Sequence, residues 1–328
     1  MRMTLRQRLS KILHTRSSVR VFFVERPSDY PRMCRSHELL QRKEIVSETV
    51  GYIGLGDMGG AMSETLTASY DLVVFDLSDE AIAKLVEKGA RAATSGASLA
   101  AECAHISICV PDDTAVMEVV SGTDGILASC RPGTSIAVHS TVHPDTIRDL
   151  HVLAAEREVI LFDAGVAGGS WAAREGSLVI MLGVPEAGIS ELARGVIDEC
   201  AGAVFEGGGI GAGMAMKVAF NVMTYFQQAA LSAAYQIVVG EDSDPEMLLE
   251  GWRHVGQLGK LTERFYPLVS MPPEAKGGPL GSYLATTIGI AEKDLDLAVN
   301  LGLESGRRMP VVEAVRDSMR LVYGMPKS

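Results

Sequence analysis

The sequence predicts an α/β fold: an N-terminal Rossmann-type dinucleotide-binding domain followed by an all-α C-terminal domain. Short apolar runs alternate with helical segments from about residue 46, and a glycine-rich turn follows the first run. Such alternation indicates a parallel sheet with right-handed helical crossovers. Beyond residue 209 only helical patterns remain. We therefore expect a basic, disordered extension over residues 1–45, the dinucleotide-binding domain over 46–209, and a helical substrate and oligomerisation domain over 210–328.

The strands are predicted from short runs rich in β-branched and other apolar residues. In chain order they read TVGYIGLG, DLVVFDL, HISICV, TSIAVHS, VILFDAGV, SLVIMLGV and a further candidate, AVFEGG. The helix SDEAIAKLVEKGA has Ser78 placed to cap its first turn and Gly89 placed to end it. Residues 210–240 contain no proline and a single charged side chain, Lys217. They predict one long helix that is buried on most sides.

Charge is distributed unevenly along the chain. The net charge is −11, yet residues 1–45 hold 11 of the 30 lysines and arginines and only four acidic residues. The remaining body carries 19 basic and 37 acidic groups, a net charge of −18, which would repel nucleic-acid phosphates. No apolar run approaches the ~20 residues that a membrane span requires. We expect a small-molecule substrate as the partner, and neither nucleic acid nor a membrane.

The cysteines and the N-terminal composition indicate the cellular compartment of the protein. The five cysteines are dispersed and form no CxxC pair, which is typical of a reducing compartment such as the cytoplasm. The extension resembles a mitochondrial presequence in composition, so the mitochondrial matrix is the alternative; a basic arm, or sequence upstream of the functional protein, would look the same. No metal is expected, because His139 and His143 fall where a strand passes into a loop before Pro144.

The glycine-rich turn supplies Gly54, Gly56 and Gly59 in the spacing G-x-G-x-x-G, directly after a strand and at the start of a helix. The first glycine permits the tight turn, the second lets a pyrophosphate approach the backbone, and the third lets helix and strand pack closely. Free N–H groups at the helix N-terminus favour phosphate binding. A glycine-rich turn that binds no ligand is the alternative.

An acidic residue follows the second strand at the position that selects the cofactor. Asp76 lies 22 residues after Gly54, where a carboxylate can bind the ribose hydroxyls and would repel a 2′-phosphate. No arginine follows it immediately, so NAD is favoured and NADP is less expected. Asp57, inside the turn, is expected to point to solvent, because it would otherwise place negative charge near the phosphates.

Four motifs, in order, give the chain a resemblance to the β-hydroxyacid dehydrogenase family, which includes 3-hydroxyisobutyrate dehydrogenases and tartronate semialdehyde reductases. GYIGLGDMGGAM resembles the family's cofactor turn, and FDAGVAGGSWAAREGSL resembles its substrate motif D-A-P-V-S-G-G followed by G-x-L. GIGAGMAMKVAFN resembles the catalytic-helix motif G-x-G-x-x-x-K-x-x-x-N, and EKDLDLAVNLGLESG resembles the C-terminal K-D-L-x-L-A stretch. The resemblance extends over roughly residues 48–324.

The resemblance implies roles for individual residues. Lys217 would be the catalytic lysine, and Asn221 would contact the substrate. The substrate carboxylate would meet the backbone N–H groups of Gly168 and Gly169. The implied cofactor-binding residues are Gly54, Leu55, Gly56, Met58, Gly59, Asp76, Val110, Pro111, Thr141 and Lys293. The resemblance also implies a homodimer or homotetramer.

Two positions depart from the family pattern. Ala167 stands where the family has the serine of S-G-G, so one hydroxyl donor to the substrate carboxylate is missing, and Ser170 is a candidate replacement. Gly165 stands where the family has proline, which is expected to loosen the preceding turn. Trp171 is a candidate lining residue of the pocket, whereas Trp252 is interpreted as a packing residue. The departures leave the identity of the hydroxyacid open.

Lys217 is also a candidate on chemical grounds alone. Gly213 and Asn221 lie one turn before and after it on the same helix face, and no acid lies within helical reach. Burial and a nearby positive nicotinamide would both lower the pKa of the amine toward working pH. A lysine that extends to solvent is the alternative, and Asn221 could instead satisfy backbone carbonyls.

The sequence therefore predicts an oxidoreductase that transfers a hydride between NAD and a small 3-hydroxyacid or its semialdehyde, with Lys217 moving the proton. An imine reductase-like enzyme and a non-catalytic, cofactor-bound scaffold protein are the alternatives. Imine reductases of this architecture generally lack the lysine and prefer NADPH, so Lys217 and Asp76 disfavour the first alternative. The retained lysine also disfavours the second.

Overall fold

The computed structural model describes residues 21–23 and 48–325. Its strands are β1 (Val21–Phe23), β2 (Thr49–Ile53), β3 (Asp71–Phe75), β4 (Arg91–Ala92), β5 (His105–Ile108), β6 (Ser135–Val138), β7 (Ile160–Ala167), β8 (Leu178–Gly183) and β9 (Ala201–Gly208). They form one sheet in the spatial order β1-β9-β8-β7-β6-β5-β2-β3-β4.

Helices flank this sheet and then make up the rest of the described chain. They are α1 (Asp57–Leu66), α2 (Asp79–Val86), α3 (Gly96–Ala100), α4 (Asp113–Ser121), α5 (Pro144–Ala155), α6 (Gly169–Arg174), α7 (Glu191–Cys200), α8 (Ala212–Gly240), α9 (Pro245–Val255), α10 (Lys260–Ser270), α11 (Gly278–Glu304), α12 (Pro310–Arg316) and α13 (Met319–Val322). Short 3-10 turns occupy Ile126–Ala128 and Pro273–Lys276. The predicted fold class is confirmed.

The arrangement of the strands creates one edge at which ligands can bind. Strands β4, β3, β2, β5, β6 and β7 run parallel to their neighbours, so their carboxyl ends share one edge of the sheet. The chain moves outward from β2 to β3 on one side and to β5 on the other. In such sheets the crevice at this reversal is where a dinucleotide binds.

The sheet is not wholly parallel, which corrects the expectation from strand–helix alternation. Strand β8 runs antiparallel to β7, with Gly165 paired to Met181. Only residues 168–177 connect the two strands, and they include the short helix α6. A parallel return needs a crossover of about a dozen residues or more, so this connection is too short to provide one.

The N-terminal extension contributes one described strand. β1 pairs antiparallel with β9, placing Val21 opposite Phe205 at the edge of the sheet. The expectation that residues 1–45 are disordered is therefore corrected for Val21–Phe23. For the other residues of the extension this expectation, like the presequence alternative, lies outside the described residues.

Three hydrophobic clusters hold the fold together. Two lie on opposite faces of the sheet, and their largest fully buried side chains include Tyr52 and Phe162 on one side and Ile106 on the other. The third fills the helical region between α8 and α11. None of the helices in the described part of the chain is long and apolar enough to cross a bilayer.

Helix α8 confirms the predicted long helix but is less buried than expected. It runs for 29 residues and opens with buried Gly213, Met214 and Lys217. Met223 and Ile237, further along, are 59% and 68% exposed. The expectation that the helix is buried on most sides is therefore wrong, because it has apolar side chains, from Met223 onward, that the described chain does not cover.

Candidate active site

The glycine turn between β2 and α1 has the geometry that its spacing predicts. Gly54 has a positive φ of +89°, and a side chain there would collide with the carbonyl oxygen of Cys109. A side chain on Gly59 would collide with the carbonyl oxygen of Gly54. In contrast, a Cβ on Gly56 would meet nothing within 4 Å. The first and third glycines serve the packing, and the second leaves open space in front of the backbone.

Apolar and acidic side chains complete the surroundings of the glycine turn. Leu55 is buried, and Met58 packs against the core from the first turn of α1. Asp57 is exposed, as expected. Asp76 follows β3 and accepts hydrogen bonds from the backbone N–H of Leu55 at 2.6 Å and of Ser78 at 2.8 Å, one on each carboxylate oxygen. The carboxylate is thereby fixed beside the turn.

The remaining cofactor candidates gather at the same edge of the sheet. Val110 and exposed Pro111 follow β5, and the Val110 N–H donates to the Ser140 hydroxyl at 2.8 Å after β6. The next residue, Thr141, accepts a hydrogen bond on its carbonyl oxygen from the Lys293 Nζ at 2.6 Å. Lys293 lies on α11, so this contact joins the helical region to the carboxyl edge of the sheet.

A chain of buried polar groups surrounds Lys217. Its Nζ donates to the Asn221 Oδ1 at 2.7 Å, and the Asn221 amide donates to an Asp294 carboxylate oxygen at 2.6 Å. The Tyr225 hydroxyl donates to that oxygen at 3.1 Å, and the Lys293 Nζ donates to the other at 2.8 Å. Lys217 is 9% exposed and Asp294 is 2% exposed. We call these five side chains the lysine cluster.

The surroundings of Lys217 lower the pKa of its amine to about 8, and burial is the largest cause. The Asp294 carboxylate acts in the opposite direction and favours the ammonium, while Lys293 lowers the pKa again. A lysine with a pKa this close to neutrality can exchange a proton at working pH. Extension of the lysine to bulk solvent is excluded by its burial.

Asp294 and Tyr225 are residues of the candidate site that sequence reasoning missed. Asp294 lies within the K-D-L-x-L-A stretch, directly after Lys293, so a signal was present. Helical spacing could not identify it as a partner of Lys217, because no acid lies within helical reach of Lys217 on α8. The acid comes instead from α11, which packs across α8.

Asp163, another missed residue, holds the start of α8 on the sheet. Its two carboxylate oxygens accept the backbone N–H groups of Gly211 at 2.8 Å and Met214 at 2.6 Å. Burial nevertheless raises the pKa of Asp163 to about 6. A side chain on Gly213 would collide with the Met181 carbonyl oxygen, so α8 lies close on β8. These contacts fix the turn of helix that precedes Lys217.

Gly165 has a different role from the one expected. It lies inside β7 rather than in a loosened turn, and a Cβ on it would lie 2.7 Å from the Lys217 Cβ. The proline that the family has at this position would carry such a Cβ. In this chain the missing side chain gives Lys217 its place against the strand.

The candidate substrate residues lie at the end of the same strand. Gly168 and Gly169 have positive φ values of +132° and +77° and lead into α6, after buried Ala167. Ser170 is half-buried, and Trp171 is 50% exposed with the Arg264 guanidinium stacked 3.4 Å from its ring centroid. The carboxyl end of β7 therefore has the two glycines and an aromatic surface three to six residues beyond Gly165.

The two histidines considered as a metal pair do not come together. His139 is in the core, with its Nδ1 bonded to the Ala164 carbonyl and its Nε2 to the Ser107 hydroxyl. His143 lies near Asp145 and Glu304, but its Nδ1 accepts the Asp145 N–H at 3.2 Å. The His143 Nε2 lies 3.1 Å from the Glu304 carboxylate.

Comparison with known proteins extends these observations. Residues 49–208 match the model of the NAD binding domain of 6-phosphogluconate dehydrogenase. The 3-hydroxyisobutyrate dehydrogenase of Pseudomonas aeruginosa is 30% identical over 253 residues, which are 76% of this chain and 84% of that protein. The matched residues 49–208 include the glycine turn.

Solved structures show the same architecture. Mycobacterium tuberculosis 3-hydroxyisobutyrate dehydrogenase, solved with L-serine, has a TM-score of 0.69 at 25% identity, covering 85% of this chain and 94% of its own. An imine reductase from Aspergillus terreus has a TM-score of 0.56 at 20% identity, covering 84% and 94%, which is a likeness of fold alone. The chain therefore belongs to the β-hydroxyacid dehydrogenase family, of the 3-hydroxyisobutyrate dehydrogenase type, and is an oxidoreductase that acts on CH–OH groups with a nicotinamide cofactor.

Proposed function

We propose that the protein transfers a hydride between NAD and a small 3-hydroxyacid, or its semialdehyde, with Lys217 as the proton-transfer residue. The observation that carries this proposal is the buried Lys217 amine, whose pKa lies at about 8. When bound, the nicotinamide supplies the hydride acceptor or donor. In the oxidation, the neutral Lys217 amine accepts the hydroxyl proton as the carbonyl forms; in the reduction, the ammonium returns it.

The other site residues would position the two reactants. Asn221 already orients the Lys217 amine, and its own amide is held by Asp294. We assign substrate contact to Asn221 and to the backbone of Gly168 and Gly169. The proposed cofactor contacts are the glycine turn with Leu55 and Met58, and the edge formed by Val110, Pro111, Thr141 and Lys293. The open space at Gly56 fits a pyrophosphate.

Asp76 supports NAD over NADP in this proposal. Its carboxylate is fixed by two backbone N–H groups at the end of the second strand of the nucleotide motif. A fixed negative charge there would bind the ribose hydroxyls of NAD and repel the 2′-phosphate of NADP. The imine reductase-like alternative generally pairs with NADPH and lacks the lysine, so Asp76 and Lys217 favour the hydroxyacid.

Exposed apolar residues support a homo-oligomer. Met223 and Ile237 on α8, Met247 on α9 and Tyr283 on α11 are each more than half exposed. Apolar surface of this kind usually marks a protein interface. We propose a homodimer or homotetramer, to be tested by light scattering at micromolar concentration.

The function is tested by substituting the lysine. We expect the purified protein to reduce NAD, read at the absorbance of the reduced nicotinamide, with at least one member of a hydroxyacid panel. Lys217→Met keeps the bulk of the side chain and removes the amine, so kcat should fall about 10²- to 10⁴-fold while NADH binding, read by fluorescence, is retained. Lys84→Met, at an exposed lysine, is the matched control. Near-normal turnover in the first variant would refute the role of Lys217, and a parent that oxidises no member of the panel would contradict the proposed substrate class.

A further inference from the structure

A cavity of about 850 Å³ lies along α8, on the side of the helix next to the one that carries Lys217 and Asn221. Phe220, which directly precedes Asn221 on α8, is one of its walls. The end of β7, the start of α6 and the start of α10 supply the others. The lining residues used below are Ala167, Gly168, Trp171, Phe220, Lys260 and Arg264.

The cavity is larger than a small hydroxyacid needs. Pockets of roughly 300–1,000 Å³ hold drug-sized molecules, and 3-hydroxyisobutyrate would fill only a fraction of this one. Ala167 and Gly168 belong both to the cavity wall and to the candidate substrate motif. The proposed site of the substrate carboxylate therefore opens into the same cavity as the start of α10.

Two cations with exposed side chains line the cavity, and neither has an ion pair with a described residue. Among the residues that the structure describes, neither Arg264 nor Lys260 pairs with a carboxylate, whereas the nearby Arg253 pairs with Glu263 at 2.6 Å. Stacking on Trp171 fixes the Arg264 guanidinium at the wall. Glu175 is the acid in the lining, so the cavity has a net positive charge inside a strongly acidic body. Unpaired guanidinium and ammonium groups of this kind bind carboxylates.

We infer that the substrate is an anionic 3-hydroxyacid whose side chain ends in a second carboxylate, held by Arg264 with Lys260. This inference rests on the proposed function for the reacting end of the molecule. The apolar part of the side chain packs against Trp171 and Phe220, and the far carboxylate supplies the anion partner that neither cation has among the described residues. Arg264 and Lys260 are thus specificity residues rather than catalytic ones.

Binding without turnover is the first test. The sequence has two tryptophans, so Trp252→Phe leaves Trp171 as the only reporter of tryptophan fluorescence. Glutarate should change its emission in a saturable way, and butyrate at the same concentrations should not. Adding Arg264→Gln should weaken glutarate binding about tenfold or more, as expected for a lost charged hydrogen bond, while Lys84→Gln should not change it. Equal binding of glutarate and butyrate, or no effect of Arg264→Gln, would overturn the inference.

Steady-state kinetics then separate this inference from the proposed function. Arg264→Gln should raise KM for 2-(hydroxymethyl)glutarate about tenfold or more and leave KM for 2-(hydroxymethyl)pentanoate unchanged. An equal rise for both substrates means that Arg264 holds the carboxylate near the reacting carbon, which would overturn the second-carboxylate inference alone. Arg264-dependent glutarate binding without oxidation of any hydroxyacid would contradict the proposed function alone.

Discussion

The amide of Asn221 and the carboxylate of Asp294 meet at 2.6 Å across two helices that are far apart in sequence. The asparagine is thereby fixed with its oxygen toward Lys217, because its amide nitrogen is occupied by the acid. Asp294 thus acts on the lysine in two ways, through the orientation of Asn221 and through its charge.

Asp294→Asn should shift the pH dependence of the oxidation. The Asp294 charge favours the Lys217 ammonium, so its removal lowers the pKa of the lysine further below its ordinary value. Because the neutral amine accepts the proton, activity rises with pH through that pKa, and the rising limb of kcat/KM should move from about pH 8 to lower pH. Asp296 lies on the same helix as Asp294 and is exposed, with Arg316 as its ion-pair partner. Asp296→Asn should therefore leave the rising limb of kcat/KM unchanged. An unchanged rising limb of kcat/KM in Asp294→Asn would argue against Lys217 as the base.

Gly165→Ala should impair catalysis without abolishing cofactor binding. The new methyl group would lie 2.7 Å from the Lys217 Cβ, so the lysine or the strand must move. A displacement of about 1 Å at a reacting group can cost about 10²-fold in rate, and kcat should fall on that order. Gly251→Ala on α9, where a Cβ meets nothing within 4 Å, is the control for a glycine-to-alanine change. Unchanged kcat in Gly165→Ala would show that Lys217 tolerates the crowding.

Asp76→Ser should change cofactor preference. Loss of the carboxylate removes a charged hydrogen-bond acceptor for the ribose, which lowers kcat/KM with NAD about 10- to 100-fold, and it also removes the repulsion of a 2′-phosphate. The ratio of kcat/KM values for NAD and NADP, measured on one hydroxyacid, reports the effect. General damage to the turn would lower both values together and leave the ratio unchanged, contrary to our expectation.

The stability of the sheet should fall below neutral pH because of two buried histidines. Burial lowers the pKa of His105 to about 3 and of His139 to about 4, so the native state keeps both neutral while the unfolded chain protonates them below its ordinary pKa of about 6.5. Each therefore removes about 1.4 kcal/mol of unfolding free energy per pH unit as the pH falls below that value. Asp163 acts in the opposite direction, because its raised pKa lets the native state bind a proton first.

Urea unfolding at pH 7, 6 and 5 tests this pH dependence. His139→Gln keeps polar atoms toward Ser107 and the Ala164 carbonyl but cannot be protonated. The variant should lose less stability than the parent between pH 6 and pH 5, by about 1 kcal/mol, and the contribution of Asp163 cancels in this comparison. Parallel pH profiles for the two proteins would show that His139 does not drive the acid sensitivity.

Local signals in the sequence were sufficient for the fold and for the central residue of the candidate site. Strand runs, the cap at Ser78 and the glycine turn each depend on neighbouring residues, and Lys217 stands out as the single charge in a long apolar helix. Asp294 could not be placed, because its contact with Asn221 spans 73 residues and depends on how two helices cross. The direction of β8 and the contact of Gly165 with Lys217 likewise depend on tertiary packing.

Helix α8 starts four residues after β9 ends, and Asp163 of β7 binds its first turn through two backbone N–H groups. The Lys217 amine is therefore held in place by the nucleotide-binding sheet, although its helix belongs to the helical region. A movement of α11 away from the sheet would break the Lys293 contact with Thr141 and separate Asp294 from Asn221, whereas Lys217 would stay with the sheet through the contacts of Asp163.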